Sequence, residues 1–469
     1  MFWDKRCNLL IVTFDQMRGD WADPKRKLVK MPVLEHLSAE GWTATKCYTS
    51  SPQCVPARFS WLTGLEPSQL GVTKNENVDL PEDVPSIIKW ARQKGWYTEL
   101  VGKTHWTSHQ KGKNLDDNKH LLNKLGFEEA IEIAGPRALQ HVRCELTEIW
   151  KQRDVYEKHL KDMRRRYKGG RQPEAWKVRP SVLPNDLYPD IWIANQAVKS
   201  IRKLPTKKRW IMWVSFVGPH EPFDTPKPWH GIHEKAILPD AIKTPEWITE
   251  LTDKCELKQQ WNGWQGKLKD HEIRELRKDY ADHLKLLDDQ LSKLIDACNQ
   301  RSDSRKIGVM VTSDHGEMLG DMNMLYKSTL LEQSLRVPFI YKEPGSSGKA
   351  KRITKELSLT QLFHQTIYNT ARGGNAKDLT KKVEKLSDMI VSEFGNERVF
   401  VRDKRKICLS MEGSLLWGTK IASKTQSEIY YTKKEIRSGW KWKKLLRDAK
   451  EYTEKTKTQG WVWRDLKSS

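Results

Sequence analysis

A lone cysteine stands two residues before a proline and four before an arginine in Cys54-Val55-Pro56-Ala57-Arg58, and the segment runs on through Phe59-Ser60-Trp61-Leu62-Thr63 to Gly64. A thiolate is a nucleophile, and a thiol beside a cation gives up its proton more readily. Pro56 fixes its own φ and offers no backbone donor, so the chain leaves the extended form here in a defined way. If a helix starts at this point, Cys54 and Arg58 lie on one face of it. A guanidinium there would hold an anion in a fork. Taken alone, the spacing also fits an inert buried cysteine beside a surface arginine. Other residues decide between the two.

Asp15, Lys103, His220 and the pair Asp314-His315 each stand at or just beyond the end of an apolar run. Singly, each has an ordinary explanation: a helix-capping aspartate, a surface lysine, a satisfied loop histidine. Together they describe a site. Two carboxylates and a histidine hold one divalent cation, and the oxygen-rich set suits Ca²⁺, Mg²⁺ or Mn²⁺ better than Zn²⁺, with the histidine keeping Mn²⁺ and Zn²⁺ open. Lysines and an arginine around a metal make a pocket for a tetrahedral oxyanion. A nucleophile beside that metal completes an anion-transfer enzyme, and His220, on a separate strand end, is placed to give the leaving group a proton.

The elements that must position these residues can be read from the hydrophobic pattern. Continuous apolar runs at 8–14, 97–101, 210–217, 307–313 and 336–341 predict strands buried on both faces. Amphipathic stretches at 32–41, 84–94, 191–203, 271–299 and 358–371 predict helices between them, the first two closed by Gly41 and Gly95. Strands alternating with helices predict an α/β fold with a large, mostly parallel sheet, whose ligands bind at the carboxyl ends of its strands. We expect a catalytic domain over residues 1–390, with a basic, irregular insertion at about 107–185 laid over one end of the sheet. A smaller α+β subdomain is expected over 391–469.

Lys and Arg number 83 against 61 Asp and Glu, a net +22, which calls for anionic partners without choosing among nucleic acid, lipid, glycan or a small anion. Much of the surplus lies in runs such as 161–171 and 433–450, which read as solvated helix faces, and no nucleic-acid module is recognisable. Seven scattered cysteines argue against a disulfide framework and for a reducing, cytoplasmic setting. The opening Met1-Phe2-Trp3-Asp4-Lys5-Arg6 does not read as a signal peptide, and no eighteen-residue apolar run predicts a membrane span.

Six segments then occur in a telling order: Asp15-Gln16; Cys54-Val55-Pro56-Ala57-Arg58 with Leu62-Thr63-Gly64; Gly102-Lys103-Thr104-His105; Pro219-His220-Glu221-Pro222; Ser313-Asp314-His315-Gly316-Glu317; and Lys327-Ser328-Thr329. Over residues 8 to about 370 they resemble the type I sulfatases of the alkaline phosphatase superfamily. The resemblance implies hydrolysis of a small or polymeric anionic sulfate ester, with Cys54 oxidised by a maturation enzyme to formylglycine, whose hydrate is the nucleophile. It implies one divalent metal, foremost Ca²⁺ with Mn²⁺ or Mg²⁺ as alternatives, on Asp15, Asp314, His315 and residue 54, with Gln16 as a further ligand. Arg58 would orient the hydrate, Lys103 and Lys327 would hold sulfate oxygens, and His105 would assist turnover. His220 would protonate the leaving oxygen, and Asn75 would contact substrate. Many animal sulfatases have two consecutive aspartates in place of Asp15-Gln16 and an asparagine in place of His315. Here the pattern is more similar to bacterial choline sulfatases and phosphonate monoester hydrolases.

Three readings follow. The leading one is a sulfuric ester hydrolase. The second is a phosphonate monoester hydrolase or phosphodiesterase using the same groups, disfavoured if Lys103 and Lys327 leave no room for a second organic substituent. The third is a catalytically silent polyanion-binding protein, which the retention of Cys54 and His220 argues against.

Overall fold

The computed structural model describes residues 7–168, 171–346, 350–422 and 427–458; the first six residues, where a signal peptide was not expected, lie outside it. Its centre is strand β1, Asn8–Asp15, in which every residue is buried. Alternate side chains of β1 serve two cores. Leu10, Val12 and Phe14 join one, Leu9 and Ile11 the other, as the period of two in a strand requires. That is why the run reads as continuously apolar.

The remaining strands of this sheet are β2 (Trp42–Tyr48), β3 (Tyr97–Lys103), β4 (Glu129–Ile133), β5 (Trp210–Pro219), β6 (Ile307–Ser313), β7 (Arg336–Lys342), β8 (Lys351–Ile353) and β9 (Leu357–Ser358). Their order is β4-β3-β5-β1-β6-β7-β2-β8, with β9 also on β2. β1 runs parallel to both β5 and β6, and β3 to both β4 and β5, so five strands end at one edge. The sheet is mostly parallel, as expected. β7 is antiparallel to both its neighbours, which the apolar run at 336–341 did not reveal. A parallel return needs a crossover of a dozen or more residues to reach the far edge. Here the chain instead loops over the carboxyl edge from Asp314 and re-enters beside β6 at Arg336.

Four strands of this sheet escaped the sequence reading, among them the short β8 and β9. β2 reads as polar because Thr45 and Lys46 are half-exposed near its middle. β4 lies inside the stretch taken as an insertion, and its five residues Glu-Ala-Ile-Glu-Ile are too short and too charged to show a period. The insertion is therefore partly sheet. The helix expected from Val84 begins instead at Ile87 (α3, Ile87–Gln93, following α1, Pro32–Glu40, and α2, Cys54–Thr63). Pro85 disfavours helical geometry at Val84, and Ser86 caps the helix by accepting from Lys89 N at 3.2 Å.

Strands β10 to β14 (Ile390–Phe394, Glu397–Arg402, Arg405–Ser410, Leu415–Ile421, Glu428–Tyr430) form a second sheet, an antiparallel meander. One face packs on the helices Lys433–Ser438 and Trp440–Thr458 through Phe400, Ile407, Ile436 and Leu445. The other joins the main core through Val399, Val401 and Trp417. Lys406 is fully buried there between Glu332 (3.0 Å) and Glu428 (2.8 Å). The basic run at 161–171 is not wholly solvated: Arg166 is buried and donates to Asp162 at 2.8 Å and to the carbonyl of Lys177 at 2.8 Å. Cys47, Cys54, Cys144, Cys255, Cys298 and Cys408 are free thiols, and no helix among the described residues is long and apolar enough to cross a membrane.

Gly102 lets β3 lie against β5 just before Lys103. Its φ is 120°, and a Cβ there would sit 1.9 Å from the carbonyl oxygen of Ser215. Gly102→Ala should therefore lower stability by about 2–4 kcal/mol, combining overpacking with a strained φ. A urea midpoint unchanged from that of the parent would show that the two strands can part without cost.

Candidate active site

The side chains expected at the carboxyl edge meet there. α2 does start at Cys54, with Gln53 as its N-cap and Gly64, at φ 79°, as its left-handed stop. Asn75 supports that start: its Oδ1 accepts from Val55 N at 2.9 Å, and its own N–H donates to Gln53 Oε1 at 2.5 Å. Cys54 thus occupies the positive end of a helix, where a thiolate is favoured.

Arg58, one turn on, is 1% exposed and faces inward rather than out. Its Nε donates to Asp314 Oδ2 at 2.8 Å and one terminal nitrogen to Asp15 Oδ2 at 3.0 Å. The other terminal nitrogen donates to the carbonyl of Lys103 (2.8 Å) and to Ser215 Oγ (3.0 Å). Every arm of the fork is used. Lys103 Nζ donates to Asp15 Oδ2 at 2.5 Å.

Around the Cys54 sulfur lie His315 Nε2 at 3.1 Å, Lys327 Nζ at 3.3 Å, Asp15 Oδ1 at 3.7 Å and Lys103 Nζ at 3.9 Å. Burial pushes the thiol up, but Lys103, Lys327, His315 and a hydrogen bond from His105 outweigh it and hold the group well below an ordinary thiol. Burial and the sulfur also push Asp15 up, yet Lys103, His220 and Arg58 hold it below the usual carboxylate range. Asp314 goes the other way, raised by burial and by Asp15 against the pull of His315 and Arg58. Two carboxylates this close cannot both ionise cheaply without another cation.

Asp15, Cys54, Asp314 and His315 each offer one ligand atom, and these four atoms lie within 4.8 Å of one another. His315 Nδ1 lies 2.9 Å from the carbonyl of Gly316, so Nδ1 carries a proton in either state of the ring and Nε2, facing the cluster, is the nitrogen that gives up its proton to a metal. The donor set therefore fits a divalent cation. Gln16, with φ 72°, donates its backbone N–H to Asp314 Oδ1 at 3.0 Å. Its side-chain Oε1 accepts from Lys327 at 2.8 Å, while Nε2 donates to Glu221 at 3.0 Å and to Glu317.

His220 and His105 flank this centre. His220 Nδ1 lies 2.8 Å from the carbonyl of Glu221 and 3.2 Å from that residue's carboxylate, which orients the ring with Nε2 on its far side. His105, at φ 63°, is driven well below the ordinary histidine range by burial, then by Lys103 and His109, so it is neutral. Left-handed backbone at Gln16, His105, Tyr326 and Ser328 gathers around one site, as strained residues at functional centres do.

Several residues of the site were not singled out from sequence. Glu221 and Glu317 stand beside the histidines of two of the six segments, and that adjacency was the available signal. Arg137, from the loop after β4, and Tyr167, at the end of the helix Tyr156–Tyr167, line two cavities beside Cys54. One, of about 380 Å³, is bordered by Val55 and His105, the other, of about 300 Å³, by Gln53 and Lys327; Asn75, Arg137 and Tyr167 stand where they meet. No local pattern marks Arg137 or Tyr167.

A family model described as Sulfatase matches residues 7–371. The chain is similar to the arylsulfatase of Clostridium perfringens (strain 13 / Type A), 23% identical over 442 residues, spanning 92% of this chain and 89% of that protein. It is also similar to the choline-sulfatase of Rhizobium meliloti (strain 1021), 24% identical over 356 residues, or 72% of this chain and 63% of that one. Among solved structures, a phosphonate monoester hydrolase of Agrobacterium radiobacter superposes with a TM-score of 0.72 at 18% identity, covering 97% of this chain and 95% of the other. At that identity the likeness speaks for the fold.

The ionised state of Cys54 can be tested on unmodified protein. An ordinary thiol alkylates about tenfold faster per pH unit between roughly pH 6 and 8, because its thiolate fraction is still rising. Cys54, held low, should be modified by iodoacetamide at a rate nearly independent of pH over that interval, read by peptide mass spectrometry. A tenfold rise per unit at residue 54 would mean that burial, not the lysines, sets its state.

Proposed function

The chain belongs to the sulfatase family and is a sulfuric ester hydrolase, and from that premise we propose that Cys54 is converted to formylglycine and that this residue attacks a sulfate monoester beside a bound divalent cation. The observation that carries the reading is the cluster of Asp15, Cys54, Asp314 and His315 with the Lys103 and Lys327 ammonium groups within 4 Å of the same sulfur. Asp15, Asp314, His315 and residue 54 would hold the cation, with Gln16 Oε1 as the further donor if Lys327 turns to substrate. Oxygen donors in the majority favour Ca²⁺, with Mn²⁺ or Mg²⁺ as alternatives.

When present, the metal and the hydrated aldehyde supply an electrophilic contact for a sulfate oxygen and a hydroxyl nucleophile. The chain's own residues do the rest. Lys103 and Lys327 grip the non-bridging oxygens and neutralise the sulfate. Arg58, locked by four partners on β1, β3, β5 and the segment after β6, keeps Asp15 and Asp314 aimed and cannot itself wander to the substrate. His220, held by Glu221, is placed to give a proton from Nε2 to the departing alkoxide, and neutral His105 assists turnover at residue 54. Asn75 holds the helix start and presents its remaining amide to the cleft. A separate maturation enzyme is implied for Cys54. Six free thiols, from Cys47 to Cys408, fit a reducing compartment such as the cytoplasm.

A phosphonate monoester or phosphodiester remains the second reading, and one observation favours it. The cleft forks at Asn75, Arg137 and Tyr167, so a second organic substituent has space that the two lysines alone seemed to deny. On matured enzyme, kcat/KM for sulfate monoester, phosphonate monoester and phosphodiester with one common leaving group should rank the sulfate first. If either phosphorus ester leads, the second reading replaces the first.

One peptide measurement and one variant probe the roles. In peptides from active enzyme, residue 54 should carry an aldehyde; full activity with an intact thiol there would end the proposal. His220→Ala should slow an alkyl sulfate by about 10²–10⁴-fold and an activated aryl sulfate far less, since only the poor leaving group needs the proton. Equal losses on both would assign His220 to binding instead.

A further inference from the structure

The cavity that reaches Lys327 is better equipped than a sulfate group alone requires. Its walls include Arg137, Tyr167, Arg171, Glu221 and Tyr326. The hydroxyl oxygens of Tyr167 and Tyr326 are both shut off from solvent and have no hydrogen-bond partner among the described residues. A buried hydroxyl without a partner costs about 1–3 kcal/mol, so two of them lining one cavity point to a ligand that satisfies them.

The charges in this cavity are uneven. Glu221 is the carboxylate of the wall, and it is already engaged by Gln16 at 3.0 Å and by Arg137 at 3.6 Å. Arg171 has no carboxylate within ion-pair reach among the described residues. Its guanidinium stacks over Trp264 at 4.7 Å and donates to the neutral side chain of Gln260 at 2.9 Å. Gly263 makes room for it, since a Cβ there would lie 2.1 Å from an Arg171 terminal nitrogen. Trp264 in turn meets the Tyr326 ring edge-on at 5.4 Å, and Arg137 stacks over Tyr167 at 4.5 Å. Each guanidinium is thus held by an aromatic face, with hydrogen-bonding edges left over.

We infer that this lobe binds a second anionic group, a carboxylate or a further sulfate, carried on the leaving-group part of the sulfate ester. Arg171 is its principal cation, Arg137 its neighbour, and the two tyrosine hydroxyls donate to the same group or to hydroxyls beside it. The inference rests on the sulfatase reading for which end of the substrate lies at Lys327, but the subsite itself is a matter of binding. It makes Arg171 a specificity residue, outside the reacting atoms. The preferred substrate is then at least doubly charged, which a plain aryl sulfate is not.

The test is calorimetric titration of the full chain with Cys54 unmodified and Ca²⁺ present, so that turnover plays no part. The probes are glucose 6-sulfate, glucuronic acid 2-sulfate and glucosamine 2-N,6-O-disulfate. At least one of the two doubly charged probes should bind about tenfold or more tightly than the singly charged one. Whichever of them leads identifies the second group as carboxylate or sulfate. Arg171→Gln should reduce that ratio to near one. Gly263→Ala should do the same while keeping the charge, because its methyl displaces the guanidinium without removing it. Equal affinities for all three probes, or a ratio that survives both variants, overturns the subsite. Turnover of 4-nitrophenyl sulfate by matured wild-type enzyme is measured in parallel: its absence counts against the proposed reaction, while a binding preference lost in both variants supports the subsite regardless.

Discussion

One buried guanidinium holds the site together. Arg58 reaches from α2 to the ends of β1, β3, β5 and the segment leaving β6, bonding Asp15, the Lys103 carbonyl, Ser215 and Asp314 at 2.8–3.0 Å. Two carboxylates would not otherwise share this space, and a guanidinium would not otherwise give up its water. Removing a partner from such a network strands the remaining charges, which costs about 3–5 kcal/mol, whereas the intact network is close to neutral for stability. The gain is geometric. Because α2 is fastened to four strand ends at once, the sulfur at its first residue is fixed relative to His315 and both lysines.

The same logic explains the supporting layer. Gln16 is forced into a left-handed backbone, yet it links Asp314, Lys327, Glu221 and Glu317. Burial and Glu221 push the Glu317 carboxyl up to about 7, so near neutrality it readily takes a proton and relieves its neighbour. Farther out, Lys406 on β12 bonds Glu332, which lies only a few residues beyond Lys327 in the loop over the carboxyl edge. The second sheet thereby braces the loop that supplies one of the two lysines beside the Cys54 sulfur. It touches the chemistry through that loop and not by a residue of its own.

How much of this was legible in the sequence depended on the range of the forces involved. β1, β5 and β6 announce themselves because burial on both faces demands unbroken apolar runs, and Asp15 and Asp314 are conspicuous as the first charges after them. β2 and β4 did not, since a short or partly exposed strand needs no such run. The reversal of β7 is a matter of which edge the chain re-enters, and nothing local encodes it. Arg58 was legible as an anion-holding group but not as a buried one: its spacing from Cys54 is local, while its four partners are 43 to 256 residues away. Arg137, Tyr167 and Arg171 are invisible for the same reason. They become a wall only when the stretch after β4 folds back over the sheet edge.

That long reach has a consequence in time. The sulfur of Cys54 is enclosed by His315, 261 residues later in the chain, and β1 cannot complete its hydrogen bonding until β6 is made. At a synthesis rate of about 5–20 residues per second, roughly 10–50 s separate the appearance of Cys54 from that of the histidine that covers it. In the finished protein the residue is 1% exposed, at the first turn of a helix locked from beneath. Any macromolecule that must act on this side chain therefore has its opportunity on the growing chain, while the cysteine is still part of an open strand of polypeptide. Synthesis from the amino end leaves residue 54 accessible early and sealed late.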